Sequence, residues 1–218
     1  MLRVNRIKRW SVVLGAAALL LLCVPYLSYF RAISEGELFF SESKFFHSQE
    51  IQIYLLGRWG SEIFYTTDGG KPSRESICYD GPIMVEMPES GVHVVTIRAV
   101  EYFTNGTRGK ECVHTYFVGN DIFQRYQSLV TVITTDPDNL YDYENGIFVE
   151  GKLRDDWLAE NPNAFLKPSR PANYNMRGIE SEREAYLEVF EPDGTRVIAQ
   201  KVGIRISGGC PEPLLKSL

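Results

Sequence analysis

The hydrophobic pattern of the chain changes near residue 30, from a continuous apolar run to short runs in which apolar and polar positions alternate. Residues 11–30, SVVLGAAALLLLCVPYLSYF, contain no charged side chain. A helix of that length spans about 30 Å, the thickness of the hydrocarbon core of a bilayer. Four basic residues precede it, so we predict a transmembrane helix with a cytoplasmic N-terminus and residues 31–218 outside the cell. The alternative is a cleaved signal peptide, for which an A-x-A-like site would be needed.

From residue 51 onwards, apolar residues recur at every second position, as in strands with one buried face. The runs are IQIYLL, IFYT, IMVEM, HVVTIRAVE and CVHTYFV. Turn-forming residues separate them, including DGG at 68–70 and the Asn-Gly pair at 105–106, which is a common hairpin signal. Five or more short strands with regular turns predict a small antiparallel β-sandwich.

A second region begins with the apolar strand VTVITT at residues 130–135, which an Asp-Pro pair closes as a turn. Another Asn-Gly hairpin signal follows at residues 145–146. Residues 152–172 have no long period, and they predict an irregular excursion with one short helix around residues 155–160. The runs AYLEVF and VIAQKVGIRI, joined by the turn EPDG, predict a further hairpin.

Length and composition indicate a folded protein. A chain of 218 residues with 44% apolar content holds one large or two small domains, each with a core of its own. The formal net charge is -5, and the basic residues at the N-terminus leave the rest of the chain more acidic still. This balance argues against a nucleic-acid partner.

Two of the four cysteines, Cys78 and Cys112, lie inside the predicted sandwich. Disulfides persist outside the cytoplasm, so export predicts that these two pair. The alternative is two reduced cysteines in the core. The cysteine and histidine spacings are not those of a zinc site, and His93 and His114 lie in strand-like runs where an ordinary surface or core role is expected.

The sandwich resembles a known family. The runs FYTTDGGKPSRESICYDGPIMV and VTIRAVEYFTNGTRGKECVHTYFV are similar to the immunoglobulin-like module at the C-terminus of chitobiases and β-hexosaminidases, over residues 38–118. The resemblance implies a spacer or accessory binding domain more than an enzyme. Within it, Trp59, Tyr65 and Tyr79 are candidates for a face on which sugar rings stack, the alternative being ordinary packing.

The second region resembles the spore-coat kinase family CotH. The runs that carry this resemblance are ITTDPDNLYDYENGIFVEG, NYNMRG, EREAYLEVFEPDG and GIRISGG, in that order. The resemblance implies a divergent protein kinase that uses ATP and a divalent metal. It also implies a nucleotide-binding region that begins at Gly208 and Gly209 and uses Lys216, and Arg177 of NYNMRG is a further candidate to reach a phosphate.

The CotH resemblance covers residues 127–218 only, and no catalytic or metal-binding residue is assigned. The run CPEPLL after Gly209 departs from the family pattern, as expected of a truncated or frame-shifted copy. Acidic residues cluster at 136/138, 142/144 and 155/156, but these positions precede the glycine turn, whereas the catalytic and metal-binding acids of the family follow it. We therefore interpret the three clusters as turn caps and solvated surface.

The sequence as a whole predicts a mainly β protein with three parts. Residues 1–32 are a basic stub and transmembrane anchor, residues 38–118 an immunoglobulin-like antiparallel sandwich, and residues 127–218 the incomplete start of an α+β kinase-like domain. The predicted function is that of a membrane-anchored CotH-like protein outside the cytoplasm, catalytically incomplete and without ATP or metal of its own. The alternative is a non-enzymatic surface module whose sandwich binds a glycan or a partner protein.

Overall fold

The computed structural model describes residues 27–167 and 169–207. Strands account for most of the regular structure. Twelve are present in the described part, in chain order β1 (Phe39–Phe40), β2 (Phe46–His47), β3 (Ile51–Ile53), β4 (Leu55–Leu56), β5 (Glu62–Thr66), β6 (Ile77–Cys78), β7 (Ile83–Val85), β8 (His93–Tyr102), β9 (Cys112–Val118), β10 (Val130–Thr135), β11 (Arg183–Phe190) and β12 (Arg196–Ile204).

Residues 27–34 are helical and are called α1. Three short helices follow in the described part of the chain: α2 (Ile122–Arg125), α3 (Pro137–Tyr141) and α4 (Gly151–Glu160). Two 3-10 turns, Asn173–Asn175 and Ile179–Ser181, precede β11. The fold is therefore mainly β, as the sequence predicted.

The predicted transmembrane helix is not supported. Across residues 27–167 and 169–207, no helix is long and apolar enough to cross a membrane. The hydroxyl of Tyr29, at the end of the predicted span, donates to the carbonyl of Gly57 at 3.2 Å, so α1 packs on the strands that follow it. We therefore withdraw the transmembrane anchor and the single-pass membrane localisation. Residues 11–26 of the predicted span lie outside the described residues.

The first region contains one five-stranded sheet and two small ones. The large sheet has the order β2-β9-β8-β5-β6, and β1-β4 and β3-β7 are two-stranded pairs. All pairings are antiparallel except β2 with β9, which is parallel. The predicted run at residues 51–56 is split into β3 and β4, which pair with different strands. Apolar side chains from all three sheets meet in one core, around Ile53, Val85, Ile97 and Tyr116.

The second sheet is an antiparallel meander with the order β10-β11-β12. Its hairpin turn is the predicted EPDG, in which Gly194 has φ +87. A Cβ at this glycine would lie 2.7 Å from the ring of Phe46, so glycine is required both for the backbone conformation and for the close approach to β2. The other predicted hairpin, at residues 145–146, is wrong. Gly146 donates to the carbonyl of Asp142 at 2.8 Å, within the loop that joins α3 to α4.

The two regions share one hydrophobic core. Phe190, at the end of β11, is fully buried among the residues of the sandwich. Its ring centroid lies 5.4 Å from the rings of both Phe45 and Phe117. Val130 and Val132 of β10 pack against the same cluster. The second sheet therefore depends on the first region for its buried face.

His114 belongs to this core, as the sequence analysis expected for a histidine in a strand. Its ring stacks on Phe40 at 4.1 Å between centroids. Burial, together with the positive charge of Arg196, lowers the pKa of His114 to about 3. The imidazole is therefore neutral in the folded protein.

Truncating Phe190 should destabilise both regions together. We expect Phe190→Ala to lower the free energy of unfolding by about 3 to 5 kcal/mol, because a buried aromatic ring is lost from a shared core. Hydrogen exchange should accelerate in β8 and β9 as well as in β10 to β12. Phe165→Ala, at a side chain that is 76% exposed, is the control and should change stability by less than about 0.5 kcal/mol. Faster exchange in the second sheet alone would contradict a shared core.

The neutral His114 should make stability depend on pH. Its folded pKa is depressed, so between pH 6.5 and about 3 the unfolded chain binds a proton that the folded chain does not. Stability should therefore fall as the pH falls through this window, with a slope of up to about 1.4 kcal/mol per pH unit. Urea unfolding measured against pH should show a smaller slope in His114→Phe, and His93→Asn should keep the original slope. An unchanged slope in His114→Phe would count against a neutral imidazole at this position.

Candidate functional site

Of the four predicted nucleotide-binding residues, the structure describes one, Arg177, so this site stays a prediction. Gly208, Gly209 and Lys216 lie outside the described residues. Arg177 is exposed, and its guanidinium donates to the backbone carbonyls of Tyr174 at 3.3 Å and Met176 at 2.9 Å. These hydrogen bonds close the turn in which Arg177 lies. The side chain of Arg177 therefore stabilises the local backbone.

The NYNMRG segment that contains Arg177 contacts two other segments, the loop between α3 and α4 and the start of α4. The amide of Asn173, which is 1% exposed, donates to the carbonyls of Tyr143 and Glu144 at 2.9 and 3.1 Å and accepts from the backbone N–H of Leu153 at 3.3 Å. Gly151 has φ +57, and a Cβ there would lie 2.1 Å from the Asn173 amide. Asn173 therefore joins the loop between α3 and α4 to the first turn of α4.

The three acidic clusters act as caps and surface ion pairs, in agreement with their predicted role. Asp136 accepts from the N–H of Asp138 and so caps α3. The side chain of Asp142 accepts from the backbone N–H groups of Glu144 at 2.9 Å and Asn145 at 2.7 Å. Asp156 pairs with Lys152 at 2.7 Å. Throughout the part of the chain that the structure describes, no group of three or more His, Cys, Asp or Glu side chains could hold a metal ion.

The predicted disulfide is not formed. Both cysteines are free, with Cys78 exposed and Cys112 buried. Cys78 pairs with Phe64 and Cys112 with Ala99, so two strands, β5 and β8, lie between them. Three strand spacings amount to about 14 Å, whereas the Cα atoms of a disulfide lie within about 7 Å of each other. Burial raises the pKa of the Cys112 thiol to about 11, so Cys112 is an inert core side chain.

The three candidate sugar-stacking aromatics do not form one face. The rings of Tyr65 and Tyr79 meet edge to face at 6.4 Å, and the hydroxyl of Tyr79 accepts from the N–H of Leu55 at 3.0 Å. Both tyrosines pack against the core. Trp59 is 102% exposed and lies in the turn before β5, away from Tyr65 near the end of that strand.

An open cleft of about 310 Å³ lies at the seam between the two regions. The turn at residues 68–71 forms one wall, and α3 with the second sheet forms the other. Its lining is mainly polar and charged: Lys71, Arg98, Glu111, Asp136, Asp138, Asn139, Glu184, Ala185, Tyr186 and Lys201.

Opposite charges are paired across this seam. Glu184 lies between two lysines, with Nζ of Lys201 at 3.1 Å and Nζ of Lys71 at 3.9 Å. The second carboxylate oxygen of Asp136 accepts from the backbone N–H of Lys71 at 3.0 Å. The lining of the cleft is thus engaged in holding the two regions together.

A buried ion pair supports the turn at residues 68–71 from below. The guanidinium of Arg98 contacts the carboxylate of Glu111 at 2.6 Å and donates to the carbonyl of Gly69 at 2.5 Å. Burial by itself would raise the pKa of Glu111, but the hydrogen bonds and charges of Arg98 and Arg108 outweigh it and hold this pKa below its usual value. Glu111 is therefore ionised, and its ion pair with Arg98 holds the Arg98 guanidinium against the turn at residues 68–71.

A fully buried carboxylate, that of Glu188, also joins the two regions. This side chain is fully buried and accepts from the hydroxyl of Thr115 at 2.5 Å and from Arg196 at 2.8 Å. Arg196 also lies over the ring of Phe45, 4.4 Å from its centroid. Strand β11 of the second sheet is thereby joined to β9 of the sandwich.

The sequence carried a signal for this contact. Alternation along AYLEVF places Tyr186, Glu188 and Phe190 on one face of the strand, so a carboxylate shares the face of a buried phenylalanine. A buried charge requires a partner, and Arg196 at the start of the next strand was the nearest candidate. The contribution of Thr115 could not be read from the sequence, because it comes from 73 residues away.

Removing the Glu188 carboxylate should be far more costly than removing an exposed one on the same strand. We expect Glu188→Ala to lower the free energy of unfolding by about 3 to 5 kcal/mol, since it leaves the charge of Arg196 without its carboxylate partner in the core. The matched control is Glu184→Ala, which should cost less than about 1 kcal/mol. The double variant Glu188→Leu with Arg196→Met should recover much of the loss, because no unpaired charge remains. Equal costs for Glu188→Ala and Glu184→Ala would contradict the assignment.

One protein-family model, described as Fn3 associated, matches residues 55–116. These residues run from β4 to β9 and include most of the five-stranded sheet. No curated protein matches the chain, and no solved structure does. The part of the chain that is identified is thus residues 55–116, an Fn3-associated domain of the β-sandwich type.

Proposed function

We propose that the chain is a non-enzymatic module in which the Fn3-associated sandwich supports a CotH-like region. The observation that carries this proposal is the burial of β11. The run EREAYLEVFEPDG, one of the four that resemble CotH, contains both Glu188 and Phe190, and both are fully buried against the sandwich. A sheet whose inner face is completed by the preceding domain requires that domain in order to fold.

The seam agrees with a supporting role for the sandwich. The DGG turn at residues 68–70 belongs to the run that resembles the chitobiase-type module, and this turn contacts the second region. Arg98 holds Gly69 from one side, and Asp136 accepts from Lys71 on the other. A spacer or accessory domain of this type fits a cell-surface protein, as does an Fn3-associated β-rich domain in general.

The described residues do not fit a site for ATP and a divalent metal, the cofactors that the CotH resemblance implies. Phosphoryl transfer needs metal-holding carboxylates and a carboxylate that orients the acceptor hydroxyl. The acids of the second region instead cap α3, close turns or pair with lysines. The side chain of Arg177 donates to backbone carbonyls. Catalysis is therefore not proposed for this chain by itself.

Phosphate transfer is the direct test. We expect the full chain, incubated with radiolabelled ATP and either Mg²⁺ or Mn²⁺, to label neither itself nor an added acceptor protein. ATP titration should give no binding tighter than about 1 mM. The Arg177→Ala variant should behave like the parent chain. Metal-dependent transfer that is lost in Lys216→Ala would overturn the proposal, because it would require a complete catalytic site.

A further inference from the structure

Trp59 stands apart from every other aromatic side chain in the described part of the chain. It is 102% exposed, so both faces of the indole are accessible. Other exposed apolar side chains of the sandwich, such as Tyr54 and Met84, are 46% exposed and remain partly packed. Single exposed apolar residues are common on protein surfaces, so exposure alone does not indicate a binding site.

The turn that carries Trp59 is anchored by the residue before it. The guanidinium of Arg58 lies over the ring of Phe103, 4.8 Å from its centroid, and donates to the carbonyl of Ile33. Gly60 has φ +80, and a Cβ there would lie 3.2 Å from the methyl group of Thr104. Arg58 thus anchors the turn, Gly60 allows its backbone conformation, and the indole between them is exposed.

A buried carboxylate closes this turn. Glu101 is 1% exposed, and one of its oxygens accepts from the N–H of Arg58 at 2.9 Å and from the hydroxyl of Ser61 at 3.0 Å. Its other oxygen has no partner among the described residues. Burying a carboxylate with an unpaired oxygen is unfavourable. The Glu101 carboxylate is therefore unfavourable in part, and its two hydrogen bonds stabilise the turn on which Trp59 lies.

The surroundings of the indole are polar. The hairpin loop at residues 103–107 reaches Gly60 through Thr104, and Thr104 and Asn105 are exposed. The side-chain oxygen of Asn105 accepts from the backbone N–H of Thr107 at 3.0 Å, which orders the tip of this loop. A flat apolar ring on a turn that adjoins a loop with exposed hydroxyl and amide side chains matches a ligand with a flat apolar face and hydroxyls at its edge.

We propose that Trp59 is the stacking platform of a carbohydrate-binding site formed by the turn at residues 58–61 and the loop at residues 103–107. A β-1,4-linked pyranose chain has this chemistry, since its C–H groups form flat faces and its hydroxyls lie at the rim. A protein partner would be expected to bury the ring within a wider apolar patch. The site lies on the sandwich and does not rest on the proposed supporting function of that domain.

The test uses the full chain and two probes, cellotetraose and chitotetraose, with binding measured by calorimetry. We expect one or both to bind with a dissociation constant of roughly 0.1 to 1 mM. Trp59→Ala should weaken binding by more than about tenfold, and Trp59→Phe by about threefold, because a smaller ring retains part of the stacking area. Gly60→Ala, which keeps the indole but strains the turn, should also weaken binding. Trp157→Phe on α4 is the matched control and should bind normally.

Each outcome decides the proposal once unfolding curves show that the variants are folded. Loss of binding in Trp59→Ala together with normal binding in Trp157→Phe supports it. Equal binding by Trp59→Ala and the parent chain overturns it, as does the absence of binding to either oligosaccharide at about 10 mM. Trp59-dependent binding of a protein, without binding of either sugar, would also overturn it. None of these results depends on ATP, so they are separate from the test of phosphate transfer.

Discussion

The burial of the Glu188 carboxylate between two sheets is the interaction on which the arrangement of the molecule depends. Its two oxygens accept hydrogen bonds from Thr115 of β9 and from Arg196 of β12. A carboxylate of the second sheet is thus hydrogen-bonded to a hydroxyl of the first. Phe190, two residues further along the same face, enters the aromatic core beside Phe45 and Phe117. A buried carboxylate tolerates few alternative arrangements, since any shift leaves it without a partner.

The other ionic contacts between the two regions differ in how much they contribute to stability, because they differ in burial. Glu184 and its two lysines are about half exposed, and surface pairs of this kind contribute little net stability. Arg98 and Glu111 are almost fully buried and hold the turn at residues 68–71 in the position from which Lys71 reaches Asp136. The hydrophobic core and the buried pairs thus determine the packing, and the exposed pairs follow from it.

This division bears on function. The carboxylates of the second region cap α3, close turns or join the two sheets. Trp59 shows the opposite pattern, because its side chain is fully exposed while Arg58 beside it packs on Phe103. The polar groups of the second region are therefore mainly structural, and the binding site that we propose lies on the sandwich.

The sequence by itself determined those features that depend on neighbouring residues. Alternation of apolar and polar positions located β9 and β10 with their observed bounds, and the Asp193-Gly194 pair located the turn between β11 and β12. Local patterns were less reliable where distant contacts decide the outcome. The Asn-Gly pair at residues 145–146 lies in a helix connection, because the carbonyl of Asp142 and the side-chain amide of Asn173 hold that loop. Strand order separated Cys78 from Cys112, and spacing along the chain carries no information about strand order. The joining of the two regions through Glu188, Thr115 and Phe190 was decided only in the tertiary structure, because desolvation and pairing of a charge depend on residues that are far apart in sequence.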